Sequence, residues 1–198
     1  MKNSLLFMLS LGFIIPLSAL AQPTTSNSNY WPVHRDDQAG FRISYPPTWI
    51  VVQPKSRNVR FSVNPPDGPG NCNVVARQNA EISGMSQTLL NREIESSPQD
   101  QASWAEYVGL PISQVRLVES RIGKIFDTPA LVGVIETTLE NLEGKYTRKQ
   151  IVALTFRPGI VWSLNCGASS FKSSEARTRF DALKPSFNKI LGSFVFLP

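Results

Sequence analysis

Four extended runs between Val115 and Cys166 constrain this chain most, because the links between them are too short for anything but antiparallel pairing. Val115, Leu117 and Ile122 mark the first run. Ala130 to Leu139, Tyr146 to Phe156 and Ile160 to Cys166 make the other three. Asn141-Leu142-Glu143-Gly144 reads as one hairpin connection and Arg157-Pro158-Gly159 as another. A parallel crossover takes about a dozen residues or more, so these strands form a meander.

Upstream, Phe41, Ile43 and Tyr45 alternate with Arg42 and Ser44 in the two-residue period of a half-buried strand, which Pro46-Pro47 stops. Trp49 to Val52 restarts an extended run, and Val59, Phe61 and Val63 alternate again. The turn-dense segment Asn64 to Asn71 then leads into a strand from Cys72 to Ala76. Here the period changes. Leu89, Leu90 and Ile94 fall at helical spacing between Ser86 and Ser97, ahead of Pro98. Trp104, Tyr107 and Val108 share one face of a second helix from Asp100 to Val108, which Gly109 and Pro111 end. A final stripe of Ala176, Phe180, Leu183, Phe187, Ile190 and Leu191 predicts a helix capped by Ser173 or Ser174 and kinked or divided at Pro185. Ser193 to Phe196 closes as a short strand. A central antiparallel β-sheet flanked by helices set apart from it in sequence is an α+β domain.

Residues 1–21 set the expected compartment. Lys2, the apolar run Leu5 to Ile15, Pro16 and Ala19-Leu20-Ala21 form the pattern of an export signal cleaved between Ala21 and Gln22. Gln22 stands where a lipid-anchored protein carries cysteine. The expectation is a protein of the periplasm or extracellular space, soluble and not a lipoprotein. Removing 21 of 198 residues leaves 177, enough for one domain. Residues 22–35 read as a flexible leader, its end pinned by Tyr30-Trp31-Pro32, and residues 36–198 as the domain. Loss of Lys2 lowers the formal charge from +5 to +4. Basic residues gather at Lys55-Arg57-Arg60, Arg116-Arg121-Lys124, Lys145-Arg148-Lys149 and Arg177-Arg179, interleaved with apolar ones. They read as solvated faces with weak attraction for anionic surfaces, and nucleic acid is not an expected partner.

Cys72 and Cys166 are the only cysteines. In an oxidising compartment they read as a disulfide closing a loop of about 95 residues, with two separate core thiols or a nucleophilic cysteine as the alternatives. A nucleophile needs a base, and the sole histidine is His34. His34 with Asp36 and Asp37 is the one cluster with metal-ligand character, read here as a solvated turn. Glu81, Glu93, Glu95, Glu106, Glu119, Glu136, Glu140 and Glu143 supply carboxylates, mostly at positions that read as exposed. Gly68 and Gly70 interleave with prolines, which suits a rigid turn and not a phosphate loop. No catalytic, cofactor-binding or metal residue is assigned. Trp49, Trp104 and Trp162 lie on apolar faces and read as core, whereas Trp31, in polar surroundings, caps the sheet or meets a partner.

Gly40-Phe41-Arg42-Ile43-Ser44-Tyr45-Pro46 followed by Trp49 resembles the opening of PsbP-like domains, and Ile190-Leu191-Gly192-Ser193-Phe194 resembles their close. That superfamily includes the PsbP subunits of photosystem II and the bacterial periplasmic DcrB-like proteins. The resemblance spans residues 36–198 and implies an α/β/α sandwich used for binding and assembly rather than catalysis. The expected protein is therefore an exported, non-enzymatic accessory or binding protein. Its partner, an unknown envelope or secreted protein, would meet the sheet's exposed face or the loop over 64–71. The alternative is a small-molecule or lipid-binding module with a pocket between sheet and helices lined by Phe61, Trp162 and Phe180.

Overall fold

A computed structural model describes residues 30–198. The export signal over residues 1–21, its cleavage position at Ala21 and Gln22, and leader residues 22–29 lie outside the described residues. In chain order the strands are β1 (Val33–Asp36), β2 (Phe41–Ser44), β3 (Ile50–Val51), β4 (Val59–Asn64) and β5 (Gly70–Gln78). After them come β6 (Val115–Ile125), β7 (Thr128–Asn141), β8 (Gly144–Arg157), β9 (Ile160–Ser170) and β10 (Val195–Phe196). Helices α1 (Gln87–Ser96) and α2 (Gln101–Val108) precede β6, and α3 (Ser173–Gly192) follows β9.

The meander forms as its links dictate. β6, β7, β8 and β9 pair antiparallel in sequence order, and β5 lies against the far side of β9, followed by β4 and β3, completing seven strands. A row of side chains crosses five of them: Val63, Cys72, Cys166, Ile151 and Val134 stand opposite one another and face α3. Cys72 and Cys166 are joined by a disulfide within that row. Phe180, Phe187, Ile190 and Leu191 of α3 close over the row. On the opposite face, Leu131, Ile135, Val152 and Leu154 pack under Trp104 and Ala105 of α2. Gly133 allows this, since a Cβ there would overlap the Trp104 indole, whose Nε1 donates to Ser120 Oγ at 2.8 Å. β7 and β8 are thus covered on both faces, which is why they read as nearly continuous apolar runs.

The helices start where short polar side chains cap them. Ser86 accepts from the Leu89 N–H and Asp100 from the Ser103 N–H. Gly109 ends α2 in the left-handed conformation, with φ 71°. Both sheet edges are blunted. β3 is two residues long, and β6 carries exposed Arg116, Glu119, Arg121 and Lys124 plus a bulge between Leu117 and Glu119. Among the described residues no helix is long and apolar enough to cross a membrane.

Several expectations change. β1 pairs with β2 from Val33 onward, so regular structure starts three residues before 36, while Trp31, at the leader end expected to be pinned, packs on the core with the Lys189 ammonium 4.1 Å from its ring centroid. β2 and the closing strand β10 do not join the large sheet but form a second, three-stranded sheet with β1. Pro185 does not divide α3 into two helices. It sits on the exposed side of one continuous helix that Phe180 and Phe187 anchor on either side of it. The α3 N-cap is Lys172, without a side-chain bond, rather than Ser173 or Ser174. Phe61, Trp162 and Phe180 are core residues, and none of them borders the polar cleft over β5 and β9. Phe61 stacks under His34, Trp162 is edged by Phe41 and Phe196, and Phe180 meets Phe187, all buried.

Candidate functional site: an arginine-anchored polar cleft

α1 lies over β7 and β8 and α2 over β6, so the same face of β5 and β9 is left without a helix. Alternation along β5 sends Cys72, Val74 and Ala76 to the core and presents Asn71, Asn73, Val75 and Arg77 on this uncovered side. β9 adds Val161, Ser163 and Asn165, and β8 adds Arg148 and Gln150. Together they floor a cleft of about 260 Å³, walled on the helix side by Tyr107 and Val108. The Tyr107 hydroxyl donates to the Pro98 carbonyl at 3.1 Å, which fixes the ring. Ser163 Oγ donates to Asn165 Oδ1 at 2.8 Å.

Arg148 anchors one end. Its Nη2 donates to Asn71 Oδ1 at 2.6 Å and its Nε to Gln150 Oε1 at 2.7 Å. Burial pulls its pKa down from the ordinary arginine value, against a smaller upward effect from Tyr146. A guanidinium nevertheless stays protonated in proteins. Among the described residues Arg148 forms no ion pair, so two neutral amides hold a half-buried cation with donors to spare. Arg77 stands at the other end. It also borders an adjoining groove with Arg57, Asn58 and Arg60. The result is a strip that is basic at both ends and lined between by amides, Ser163 and the valines Val75 and Val161.

The basic groups read as solvated faces split by chemistry. Lys149, next to Arg148, points to the opposite face, where its ammonium meets Asp181 at 2.8 Å and lies 4.9 Å from the Phe180 ring centroid. Arg116 and Arg177 converge on Glu136, a buried carboxylate that the exposed-position reading missed. Burial pushes the Glu136 carboxyl up, but the hydrogen bonds from Arg177 and Arg116 outweigh it and hold it below the usual value. This trio ties α3 to β6 and β7. Arg179 packs against Gly68, pinning the loop over 64–71 to α3.

His34, Asp36 and Asp37 do not come together as ligands. His34 stacks on Phe61 at 4.5 Å, Asp36 accepts from the Ala39 N–H at 2.8 Å, and Asp37 pairs with Arg35. Among the described residues no group of three or more His, Cys, Asp or Glu side chains is arranged to hold a metal ion. The sequence signal for Arg148 was its two-residue offset from Gln150, a polar pair extending the face that Val152 and Leu154 continue as apolar.

No protein-family model and no curated protein matches the chain. Solved structures do. PsbP (CyanoP) from Synechocystis sp. PCC 6803 is 14% identical over 89% of this chain and 97% of its own, with a TM-score of 0.53. The fold is PsbP-like. The Ran-binding protein Mog1p of Saccharomyces cerevisiae is similar too, at 10% identity over 85% of this chain and 96% of its own, with a TM-score of 0.52. The motifs that carried the resemblance meet each other within this PsbP-like fold. Ser193 Oγ accepts from the Ser44 N–H at 2.9 Å, and Phe41 stacks on Phe194 at 5.4 Å. They tie the small sheet to the C-terminal end of α3 and lie apart from the polar cleft.

Proposed function

We propose that this protein is an exported, non-enzymatic accessory factor that binds a protein partner through the uncovered face of β5 and β9. One observation carries the reading: a sheet face elsewhere packed under helices is left bare where its side chains turn to amides and arginines. Arginine is enriched at protein interfaces, and amides pair readily with a partner's backbone. The PsbP-like fold supports binding over catalysis, since one similar structure is that of a Ran-binding protein. Export is supported by the signal pattern over residues 1–21 and by the buried disulfide.

The test is site-specific photo-crosslinking in cells. A benzophenone side chain replacing Asn73 or Ser163 should trap one adduct of discrete mass, and the same group replacing Glu95 on α1 should not. Adducts formed equally from all three positions, or from none, would overturn the reading.

A further inference from the structure

We infer that Arg148 is the anchor of a carboxylate-binding subsite, and that the strip from Arg148 to Arg77 seats an extended acidic segment of the partner. The inference rests on reading this face as the contact surface, and it specifies the chemistry of what docks there.

Three observations lead to it. Arg148 is a half-buried cation whose partners among the described residues are both neutral acceptors, Asn71 and Gln150. Those amides fix the fork by occupying Nε and one Nη2 proton, so the Nη1 edge is left for a ligand. A carboxylate supplies the missing countercharge with charge-assisted hydrogen bonds, the stronger kind. Next, no aspartate or glutamate lines the cleft or the groove beside it, while Arg77, Arg57 and Arg60 do. An acidic occupant is therefore favoured along the whole strip, and a basic one is opposed at both ends.

Dimensions select a segment over a globular surface. Asn71 and Arg77 are six residues apart on β5, about 20 Å at about 3.3 Å per residue. The floor spans three strands, about 10 Å between the outer two at 4.8 Å spacing. A patch of about 200 Å² is far below the roughly 800 Å² per partner of a standard interface. It does match about six residues of extended chain. Asn73, Ser163 and Asn165, all half-buried, would take up the segment's peptide groups between its acidic ends.

The experiment titrates the isotope-labelled purified chain with acetyl-Glu-Gly-Glu-Gly-Glu-Gly-amide, its glutamine counterpart and succinate, following backbone amide signals by NMR. The glutamate peptide should move the signals of Asn71, Asn73, Gln150 and Asn165 and bind at least tenfold more tightly than the glutamine peptide. Arg148→Gln should abolish that preference. Asn165→Asp places a fixed carboxylate in the cleft, keeps the Ser163 acceptor, and should weaken the glutamate peptide at least tenfold without lowering the melting temperature by more than a few degrees. Equal affinity for the two peptides, or no shift at these residues, overturns the inference. Succinate matching the glutamate peptide overturns the segment and points to a free small carboxylate. Crosslinks from Asn73 and Ser163 without peptide binding leave the contact face standing and remove the carboxylate assignment. Peptide binding without crosslinks supports the subsite and removes the proposed contact face.

Discussion

Glu136→Gln tests whether one buried carboxylate holds α3 to the sheet. Arg177 donates to it from Nε and Nη2, both at 2.9 Å, and Arg116 from Nη2 at 2.6 Å and Nε at 3.1 Å. The substitution removes the charge that both guanidinium groups share and turns one acceptor into a donor facing donors. Breaking a fully buried pair costs about 3–5 kcal/mol, and an exposed one about 0–1 kcal/mol. Glu136 is 6% exposed, but the side chains of Arg116 and Arg177 are 57% and 47% exposed and screened by water. The cost should therefore fall between these limits, at about 2 kcal/mol. At about 2–4 °C per kcal/mol for a chain of this size, the melting temperature should drop by roughly 6 °C. pH dependence adds a second reading. A carboxyl whose folded pKa is lowered contributes stability that is fully present above its unfolded pKa and lost as pH falls through the folded one. The gap between wild type and Glu136→Gln should thus be widest near pH 7 and close below about pH 4. Urea unfolding followed by tryptophan fluorescence at several pH values measures it, with Glu95→Gln on the exposed side of α1 as control. A gap under about 0.5 kcal/mol at neutral pH, or one that widens on acidification, refutes the clamp.

Gly133→Ala should destabilise the fold by about 3 kcal/mol, because the new methyl overlaps the Trp104 indole. Adding Trp104→Leu should make the double variant less unstable than the two single losses summed, and strict additivity in thermal melts would contradict the contact. Phe126 turns the hairpin between β6 and β7 at φ 53° with its side chain exposed, so Phe126→Asn should raise stability by about 0.5 kcal/mol in chemical denaturation. Replacing both Cys72 and Cys166 by alanine should cost up to about 4–5 kcal/mol, and a melting temperature unchanged by reductant would argue against the bridge. Burial lowers the His34 pKa, with Asp36 opposing, so its imidazole should titrate by NMR below 6.5. Its contribution should be complete above that value and lost as pH falls below it, and a midpoint at or above 6.5 would contradict the stacked site.

The sequence made local structure plain and left long-range structure dark, for physical reasons visible in particular residues. Ser86 and Asp100 marked α1 and α2 because capping is a contact over three residues. The hairpin at Leu142-Glu143 was legible from Gly144, but the one at Phe126-Asp127 was not, since no glycine or proline announces it. Which strand lies beside β5 depends on burying the Cys72 row against Cys166, a pairing that no neighbouring residues encode. Of the site, the basic cluster at 145–149 was visible and its meaning was not. Arg148 and Lys149 differ by one position and hence by sheet face, and only the placement of α2 and α3 decides which face is covered. Glu136 escaped notice because its partners lie 20 residues before it and 41 after.

The pairing of β5 with β9 also has consequences for how the chain reaches this state. β5 ends at Gln78 and its partner begins at Ile160, so everything from the first helix to the third strand of the meander must be made before β5 finds its neighbour. Until then β4 and β5 expose an unpaired edge and an apolar face that includes Phe61, Val63 and Val74. Contacts this distant in sequence slow folding, and such an edge invites association with other chains. A chain delivered N-terminus first would therefore depend on protection of residues 59–78 until β9 emerges. The strands that floor the polar cleft, β5 and β9, can pair only after the rest of the large sheet has emerged.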